Sequence, residues 1–262
     1  MKVGNICPTA LLEDLITPEE KYHLVLADIV VEDDDYAQFY RARLSQGDFV
    51  TLDSMEAERP GEGSSLEVMI EAFKKLGQPS EIVLPDVSDR RIETVHRSTE
   101  AANELQAAGF TGAFMGVPHG HNWREMEQCA DDLVAIPGVE CLGVYEQIRD
   151  NFQMSRADAA YQIKYLHREM DIHLLGGDED CSTMLTPWCH HNCRGTDTAK
   201  LIVWGLTGNV VTAENIPPYP GRKAFGGEDY FRVTQADTND KDLATAAENI
   251  AYWRKLTNPG GR

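Results

Sequence analysis

Long hydrophobic runs are missing from this sequence. No apolar stretch approaches the roughly 20 residues that a membrane-spanning helix requires, which argues against an integral membrane protein. The first residues, Met1 to Gly4, lead directly into a strand-like segment and lack the apolar stretch and cleavage site of a signal peptide. We therefore expect a cytoplasmic protein with no membrane partner.

Basic residues are scarce. The chain of 262 residues has 24 Lys and Arg against 43 Asp and Glu, which gives a formal net charge of -19. A protein with this excess of acid repels nucleic acid on average, so a nucleic-acid partner requires a local basic patch. The candidates for such a patch, all of which also fit ordinary surface charges, are Arg90, Arg91, Arg194, Arg222 and Lys223.

Cysteines at disulfide or zinc-finger spacing are also lacking. The six cysteines of this long chain do not indicate a disulfide framework, and Cys7 and Cys141, inside apolar segments, are expected to be small buried residues. A metal-like cluster consists of Cys181, Cys189, His190, His191 and Cys193. Its C-x7-C-x3-C spacing differs from the C-x2–4-C pairs of usual zinc sites, so a structural zinc is the less favoured interpretation.

The sequence does contain a regular alternation of short apolar segments and helical patterns. Hydrophobic residues make up 42% of the chain, typical of a globular protein with a core. The segments that indicate strands, most of them ending at a polar residue or glycine, are 2–7, 23–28, 49–53, 81–86, 113–119, 140–145, 172–177 and 194–199. Helices are predicted at about 36–45, 64–77, 91–108, 123–133, 155–170 and 243–256. We interpret the acids at 32–35 as a helix start rather than a metal site.

Strand and helix recur at the spacing of βα units. One such unit takes about 20 to 35 residues here, and the chain length is within the usual size of one α/β barrel. We therefore predict a (β/α)8 TIM barrel, with residues 1–262 forming a single domain.

Acidic residues at strand ends are the main candidates for chemistry. Asp53 and Asp197 end different predicted strands, and the strand ends of a barrel face one pocket. A carboxylate pair can divide the work, one attacking carbon while the other moves protons. Each acid fits a helix or turn cap at least as well, since Asp is common there, and Asp86 and Asp89 share this ambiguity.

Two histidines follow another predicted strand, in Pro118-His119-Gly120-His121. Such a pair holds a metal in some barrel hydrolases, and with a strand-end acid it would make a metal-dependent hydrolase. A histidine on a loop after a strand is more often a hydrogen-bonding residue, and we favour that interpretation. Gly176-Gly177, at a further strand end, is too short to indicate a phosphate-binding loop.

The strand-end motifs, taken in order, resemble those of the tRNA-guanine transglycosylase superfamily. The resemblance covers about Phe49 to Phe231. Its motifs are Leu52-Asp53-Ser54, Pro85-Asp86, Val117-Pro118-His119-Gly120, Leu142-Gly143-Val144 and Gly195-Thr196-Asp197. Members of that family have a (β/α)8 barrel and exchange a guanine base in nucleic acid for a 7-deazaguanine.

The resemblance implies a role for each motif. Asp197 takes the place of the nucleophile that forms a covalent glycosyl-aspartate at the sugar C1′. Asp53, followed by Ser54, takes that of the general acid/base. Asp86 stands at the position that reads the N1–H and amino group of guanine. His119-Gly120 and Gly143-Val144 stand where the family binds the base carbonyl.

The sequence departs from the family pattern in two ways. His119 stands where glutamine is usual, and a neutral histidine lacks glutamine's paired donor and acceptor. No cysteine or histidine follows Asp197, so the family's zinc module is missing, and with it the subdomain that helps to grip tRNA. A short chain without this module resembles the compact branch associated with bacterial viruses, which inserts 7-deazaguanines into DNA.

From this resemblance we expect an enzyme that replaces guanine in DNA with a 7-deazaguanine of the preQ0 type, without a cofactor or metal. It would act in the host cytoplasm if viral, with a homodimer as one option. The alternatives are a tRNA substrate, the metal-dependent hydrolase built on His119 and His121, and a non-catalytic partner subunit. The presence of both Asp53 and Asp197 argues against the last.

Overall fold

Eight parallel strands alternate with helices in the structure, a computed structural model that describes residues 1–55, 63–178, 180–221 and 230–258. The strands are β1 (Lys2–Asn5), β2 (Tyr22–Leu26), β3 (Phe49–Asp53), β4 (Glu81–Val83), β5 (Ala113–Gly116), β6 (Val139–Tyr145), β7 (Asp171–Leu175) and β8 (Gly195–Thr198). Their order in the sheet is β1-β8-β7-β6-β5-β4-β3-β2. This is the (β/α)8 arrangement of a TIM barrel, so the predicted fold class is confirmed.

The helices run between and after these strands. Those before β5 are α1 (Leu12–Leu15), α2 (Ala27–Glu32), α3 (Asp34–Ser45), α4 (Leu66–Leu76) and α5 (Arg91–Ala107). Those after it are α6 (Trp123–Val134), α7 (Ile148–Phe152), α8 (Arg156–Leu166), α9 (Ser182–Leu185), α10 (Pro187–Asn192), α11 (Lys200–Leu206) and α12 (Asp240–Thr257).

Several helices begin and end at the residues that the sequence indicates. The side chain of Asp33 accepts hydrogen bonds from the backbone of Asp35 and Tyr36, so the acid run at 32–35 does start a helix. Ser65 caps α4 in the same way, and Gly77 ends that helix in the left-handed conformation, with φ +80°. Ser155 caps α8.

Several of the predicted segments are wrong in part. The strands predicted at 81–86 and 113–119 end at Val83 and Gly116. The apolar run that starts in β2 continues as α2, which buries Ala27 and Val30, and Asp28 therefore lies on a helix. The spacing of three between those buried residues is a helical period, which a short run does not distinguish from a strand. Helix α8 ends at Leu166, which is exposed, and does not reach Met170.

The chain divides into two compact units. The central unit is Leu24–Leu174, and the terminal unit combines Met1–His23 with Leu175–Arg262. In the central unit, the ring of Phe110 lies 5.7 Å from that of Phe73 and 5.3 Å from that of Phe114. These three buried rings form part of the core between the strands and their helices.

The terminal unit is organised around α11 and α12. Residues Leu201 to Leu206 are all buried, as expected for a helix that is covered on every side. The buried side chain of Asn249 on α12 accepts from the backbone N–H of Val211 at 2.9 Å and donates to the carbonyl of Leu201 at 3.2 Å. Its hydrogen bonds join the two helices and the segment that follows α11.

None of the helices in the described ranges is both long and apolar enough to cross a membrane.

Replacing Gly205 with alanine is expected to destabilise the protein. A Cβ at Gly205 would lie 2.2 Å from the Cα of Ala246, a backbone atom that cannot rotate away. Such overpacking typically costs about 1–3 kcal/mol. Gly116→Ala is the matched control, because its Cβ would lie 3.2 Å from the Cβ of Leu133, a tight contact that a small shift relieves. Urea denaturation of both variants measures the difference, and equal stability would contradict the close helix packing.

Candidate functional site

The loops after β4 and β5 carry a buried acid–histidine pair. Asp86 follows β4 and His119 follows β5, and these two strands are neighbours in the sheet. The Nε2 atom of His119 lies 2.5 Å from Oδ2 of Asp86. Only 7% of Asp86 and 2% of His119 is exposed. A buried carboxylate needs such a partner, because removing it from water without one is costly.

Both members of the pair keep hydrogen-bonding capacity for a ligand. The contact uses Oδ2 of Asp86. His119 is the hydrogen-bond partner of this carboxylate among the described residues, so Oδ1 has no partner there. The Nδ1 atom of His119 is buried and has no partner in the described chain. Buried polar atoms are rarely left unpaired, so Nδ1 of His119 is a candidate to bond a ligand or an ordered water.

Two side chains of α5 hold the loop that carries Asp86. The Thr94 hydroxyl donates to the carbonyl of Val87 at 3.0 Å and accepts from the N–H of Val87 at 2.9 Å. The Ser98 hydroxyl donates to the carbonyl of Pro85 at 2.9 Å. These bonds hold the backbone on both sides of Asp86, and so fix the position of its carboxylate.

Tyr145 is the third member of this group. It ends β6, and its ring stacks on that of His119 with centroids 4.4 Å apart and planes inclined by 20°. Burial raises the pKa of Tyr145 to about 12, so the phenol is neutral at physiological pH. Its hydroxyl accepts from the amide of Asn151 at 3.3 Å, and that amide also donates to Asp89 at 3.1 Å. We call Asp86, His119 and Tyr145 the His119 cluster.

Cys129 on α6 contacts the backbone of His119. Burial raises the pKa of Cys129 to about 11, and a hydrogen bond between its thiol and the His119 backbone opposes this rise. The thiol is therefore neutral and unreactive at physiological pH. His119 is held at its ring by Asp86 and Tyr145 and at its backbone by Cys129.

Asp53 and Ser54 lie at the end of β3, which pairs with β4. The half-buried carboxylate of Asp53 accepts the backbone N–H of Ser54 at 2.9 Å. Ser54 is itself buried, and its hydroxyl has no hydrogen-bond partner among the described residues. Residues 56–62, which follow Met55, lie outside the described residues.

The glycine motifs have structural roles of their own. A Cβ at Gly120 would lie 2.6 Å from the backbone nitrogen of Met126, so this glycine lets the loop pack on the start of α6. Gly143 is buried within β6. The carbonyl of Val144 accepts two hydrogen bonds from the buried guanidinium of Arg156, at 3.0 and 2.8 Å. That carbonyl is therefore already engaged by the protein.

Asp197 lies in the terminal unit, as the penultimate residue of β8. Its side chain is nearly buried, and both carboxylate oxygens accept the backbone N–H of Gly176, each at 3.1 Å. A Cβ at Gly177 would lie 2.5 Å from the hydroxyl oxygen of Thr198. The two glycines therefore let the loop after β7 lie close to β8, and the first of them orients the Asp197 carboxylate.

Asn5 at the end of β1 is also unusual within the terminal unit. It pairs in register with Thr198, one residue beyond the Gly4–Asp197 pair. The side chain is 3% exposed, and its Oδ1 has no hydrogen-bond partner in the described ranges. Together with Asp197, it places a second polar group at the carboxyl ends of β1 and β8.

None of the three strand-end acids caps a described helix. Ser65 is the cap of α4, and neither Arg90 before α5 nor Ala199 before α11 makes a side-chain cap bond. Asp53, Asp86 and Asp197 are therefore not the caps of α4, α5 and α11, whereas Asp53 does accept the N–H of Ser54 in the turn that follows β3.

The described residues contain no group of three or more His, Cys, Asp or Glu side chains that could hold a metal. His119 uses Nε2 for Asp86, and His121 is exposed, with its backbone N–H bonded to Glu125. The cysteines of the metal-like cluster are buried, and Nε2 of His190 lies 2.5 Å from the carbonyl of Met184. These contacts do not favour the hydrolase or the structural zinc.

Three of the five candidates for a basic patch lie in the described part of the chain. Arg90 and Arg91 begin α5, close in sequence to Asp86. Arg91 is bonded to Asp132, with the guanidinium 2.7 Å from the carboxylate. Arg194 precedes β8, at the end of the strand opposite to its carboxyl terminus, and donates to the hydroxyl of Tyr22. Arg222 and Lys223 lie outside the described residues.

Sequence reasoning missed Tyr145, Asn151, Gly176 and Asn5 as parts of these sites. Tyr145 ends a predicted strand, as Asp53 does, and that position was the available signal. Asn5 is a polar residue inside an apolar strand segment, which is a weaker signal of the same kind. The role of Gly176 comes from a backbone N–H, for which the side chain gives no sign.

Replacing Thr94 with valine is expected to destabilise the protein by about 1–3 kcal/mol, because two buried hydrogen bonds to the Val87 backbone are lost while the side-chain shape is kept. Ser54→Ala is the control, since its hydroxyl has no partner in the described chain and its removal should cost little. Chemical denaturation measures both. A larger loss for the serine variant would show that the two hydroxyls have been assigned wrongly.

The thiols are expected to react slowly in the folded protein. Burial raises the pKa of Cys129 to about 11 and that of Cys181 to about 12, and the other four cysteines are also buried. At about pH 8 the thiolate fraction of these two is then on the order of one in a thousand or less. Iodoacetamide labelling followed by mass spectrometry should be slow before unfolding and complete after it. Rapid labelling of the native protein would contradict this environment.

Comparison with known proteins supplies no family for this chain. No protein-family model matches the sequence, and no curated protein matches it either. Assignment of a function therefore depends on the residues of the two units described above.

Proposed function

We propose that the protein is a base-exchange transglycosylase that replaces guanine in DNA with a 7-deazaguanine of the preQ0 type. The observation that carries the proposal is the pair of unused hydrogen-bonding atoms in the His119 cluster, Oδ1 of Asp86 and Nδ1 of His119. Both atoms belong to buried side chains after neighbouring strands. A guanine edge offers matching groups, since it carries N–H donors beside a carbonyl.

Asp86 reads the donor side of the base in this proposal. An ionised carboxylate only accepts hydrogen bonds, and Oδ1 can accept from the N1–H and the amino group of guanine. His119 binds the carbonyl. Tyr145 acts indirectly, because its ring stacks on His119 and holds the imidazole in place. The Thr94 and Ser98 hydroxyls keep the Asp86 loop in position.

Asp197 is the proposed nucleophile. One of its oxygens bonds to C1′ of the sugar while the C1′–N9 bond breaks and the electron pair leaves with guanine. A carboxylate is a weak nucleophile, so the rate depends on positioning and on the leaving group. The Gly176 N–H, which both oxygens of Asp197 accept, supports such positioning.

Asp53 is the proposed proton carrier. It gives a proton to the departing guanine and, as a carboxylate, takes the N9 proton from the incoming 7-deazaguanine. That base then displaces Asp197 from C1′ and restores the enzyme. The position of Asp53 at the end of β3, with only part of its side chain exposed, supports a role in proton transfer.

The nucleic acid must present an unpaired base. Extruding a base from a duplex costs a few kcal/mol, and less when the strand is already single. Because the net charge is -19, the approach of nucleic acid depends on basic side chains near the site. Arg90 and Arg91 are the candidates nearest in sequence to Asp86. DNA is the proposed substrate. Testing tRNA in the same assay shows which of the two nucleic acids reacts.

Asp197→Asn should abolish the covalent intermediate, because the amide keeps the shape and loses the charge that attacks C1′. Asp53→Asn should still form it while turning over more slowly, since proton transfer typically contributes about 10²–10⁴-fold to the rate. Each variant is incubated with guanine-containing DNA or tRNA, and the adduct is detected on a denaturing gel.

The comparison of the two variants is itself the control. An adduct with Asp197→Asn but none with Asp53→Asn would mean that the roles of the acids are reversed. No adduct from the unmodified protein with either nucleic acid would remove the main support for a transglycosylase.

A further inference from the structure

The ring of His119 has one atom left for a ligand. Its Nε2 faces Asp86 at 2.5 Å, and its face is covered by Tyr145 at 4.4 Å. A flip of the ring would keep the stacking on Tyr145 but would replace Nε2 by a carbon atom and so break the contact with Asp86. Nδ1 is therefore the ring nitrogen left without a partner, and it is buried among the described residues.

The role of Nδ1 depends on the number of protons held by the pair. With one proton, that proton lies in the short contact between Nε2 and Asp86, because two lone pairs cannot face each other there. Nδ1 then carries a lone pair and can only accept a hydrogen bond. With two protons, Nδ1 carries a hydrogen and donates, whichever side of the contact the shared proton occupies.

A guanine carbonyl needs a donor. We propose that the Asp86–His119 pair is the specificity-determining group of the site, and that it accepts an oxopurine only when it holds two protons. This inference rests on the proposed function, because it assumes that the ligand is a purine. A glutamine in place of His119 would supply an N–H donor at every pH, whereas the histidine makes oxopurine binding depend on a proton.

Two neighbours of His119 keep their protons, so the second proton of the Asp86–His119 pair is the one that varies. Tyr145 from β6 and Cys129 from α6 keep their protons, since burial raises their pKa to about 12 and about 11. Asp86, from the loop after β4, is part of the pair itself. The next charges are Asp89, which is linked through Asn151 to Tyr145, and the Arg91–Asp132 ion pair, which acts on Cys129.

The expected consequence is a proton-linked affinity. When binding requires one extra proton, affinity falls by about tenfold for each pH unit above the pKa of the group that takes it up. Guanine binding should therefore weaken as the pH rises. His119→Gln should bind guanine with an affinity that does not change with pH.

The test is equilibrium dialysis of radiolabelled guanine against the whole protein over a series of pH values at which the protein stays folded. His167→Gln is the matched control, because His167 lies in the same unit and contacts a carboxylate, Asp131, at 3.5 Å. That variant should keep the pH dependence of the unmodified protein. Circular dichroism of each variant confirms that it is folded.

The outcomes separate this inference from the proposed function. Guanine binding that weakens with pH in the unmodified protein and in His167→Gln, and not in His119→Gln, supports it. Guanine binding with a flat pH profile in the unmodified protein overturns it and leaves the transglycosylase standing. No guanine binding at any pH overturns both. If His119→Gln fails to fold, the pH dependence of guanine binding by the unmodified protein is enough to support or overturn the inference.

Discussion

The contact between Asp86 and His119 is the constraint on which the candidate site depends. A carboxylate that is almost fully buried has lost its water and must be paired, and here the partner is a ring nitrogen 2.5 Å away. The contact joins the loops after β4 and β5. Thr94 and Ser98 then hold the backbone around Asp86, and Tyr145 covers the ring of His119. A rigid pair with one free atom on each member is suited to reading the edge of a planar ligand.

The terminal unit positions its acid by a different device. Asp197 is oriented by a backbone N–H, that of Gly176, so its geometry depends on the path of the loop after β7. Gly177 permits that path, because a Cβ there would collide with Thr198. A backbone donor fixes a carboxylate without adding a second charged group. The terminal unit therefore holds its acid by a backbone N–H, whereas in the central unit a side chain, that of His119, pairs with Asp86.

The sequence was sufficient for features set by neighbouring residues. The alternation of apolar segments predicted the (β/α)8 fold, and Asp33, Ser65, Gly77 and Ser155 marked helix ends, because capping is a local interaction. It could not supply the stack of Tyr145 on His119 or the bonds from Arg156 to Val144. Those contacts join residues that only the folded backbone brings together. The helix at Ala27–Glu32 was missed because its apolar run continues that of β2 without a break.

We propose that this protein exchanges guanine for a 7-deazaguanine in a polynucleotide. Mass spectrometry of the nucleosides released from the DNA and tRNA of cells with and without the protein is the test. We expect a 7-deazaguanine nucleoside in the DNA of cells that contain the protein, at the expense of deoxyguanosine. Identical nucleoside compositions with and without the protein, in both DNA and tRNA, would contradict it.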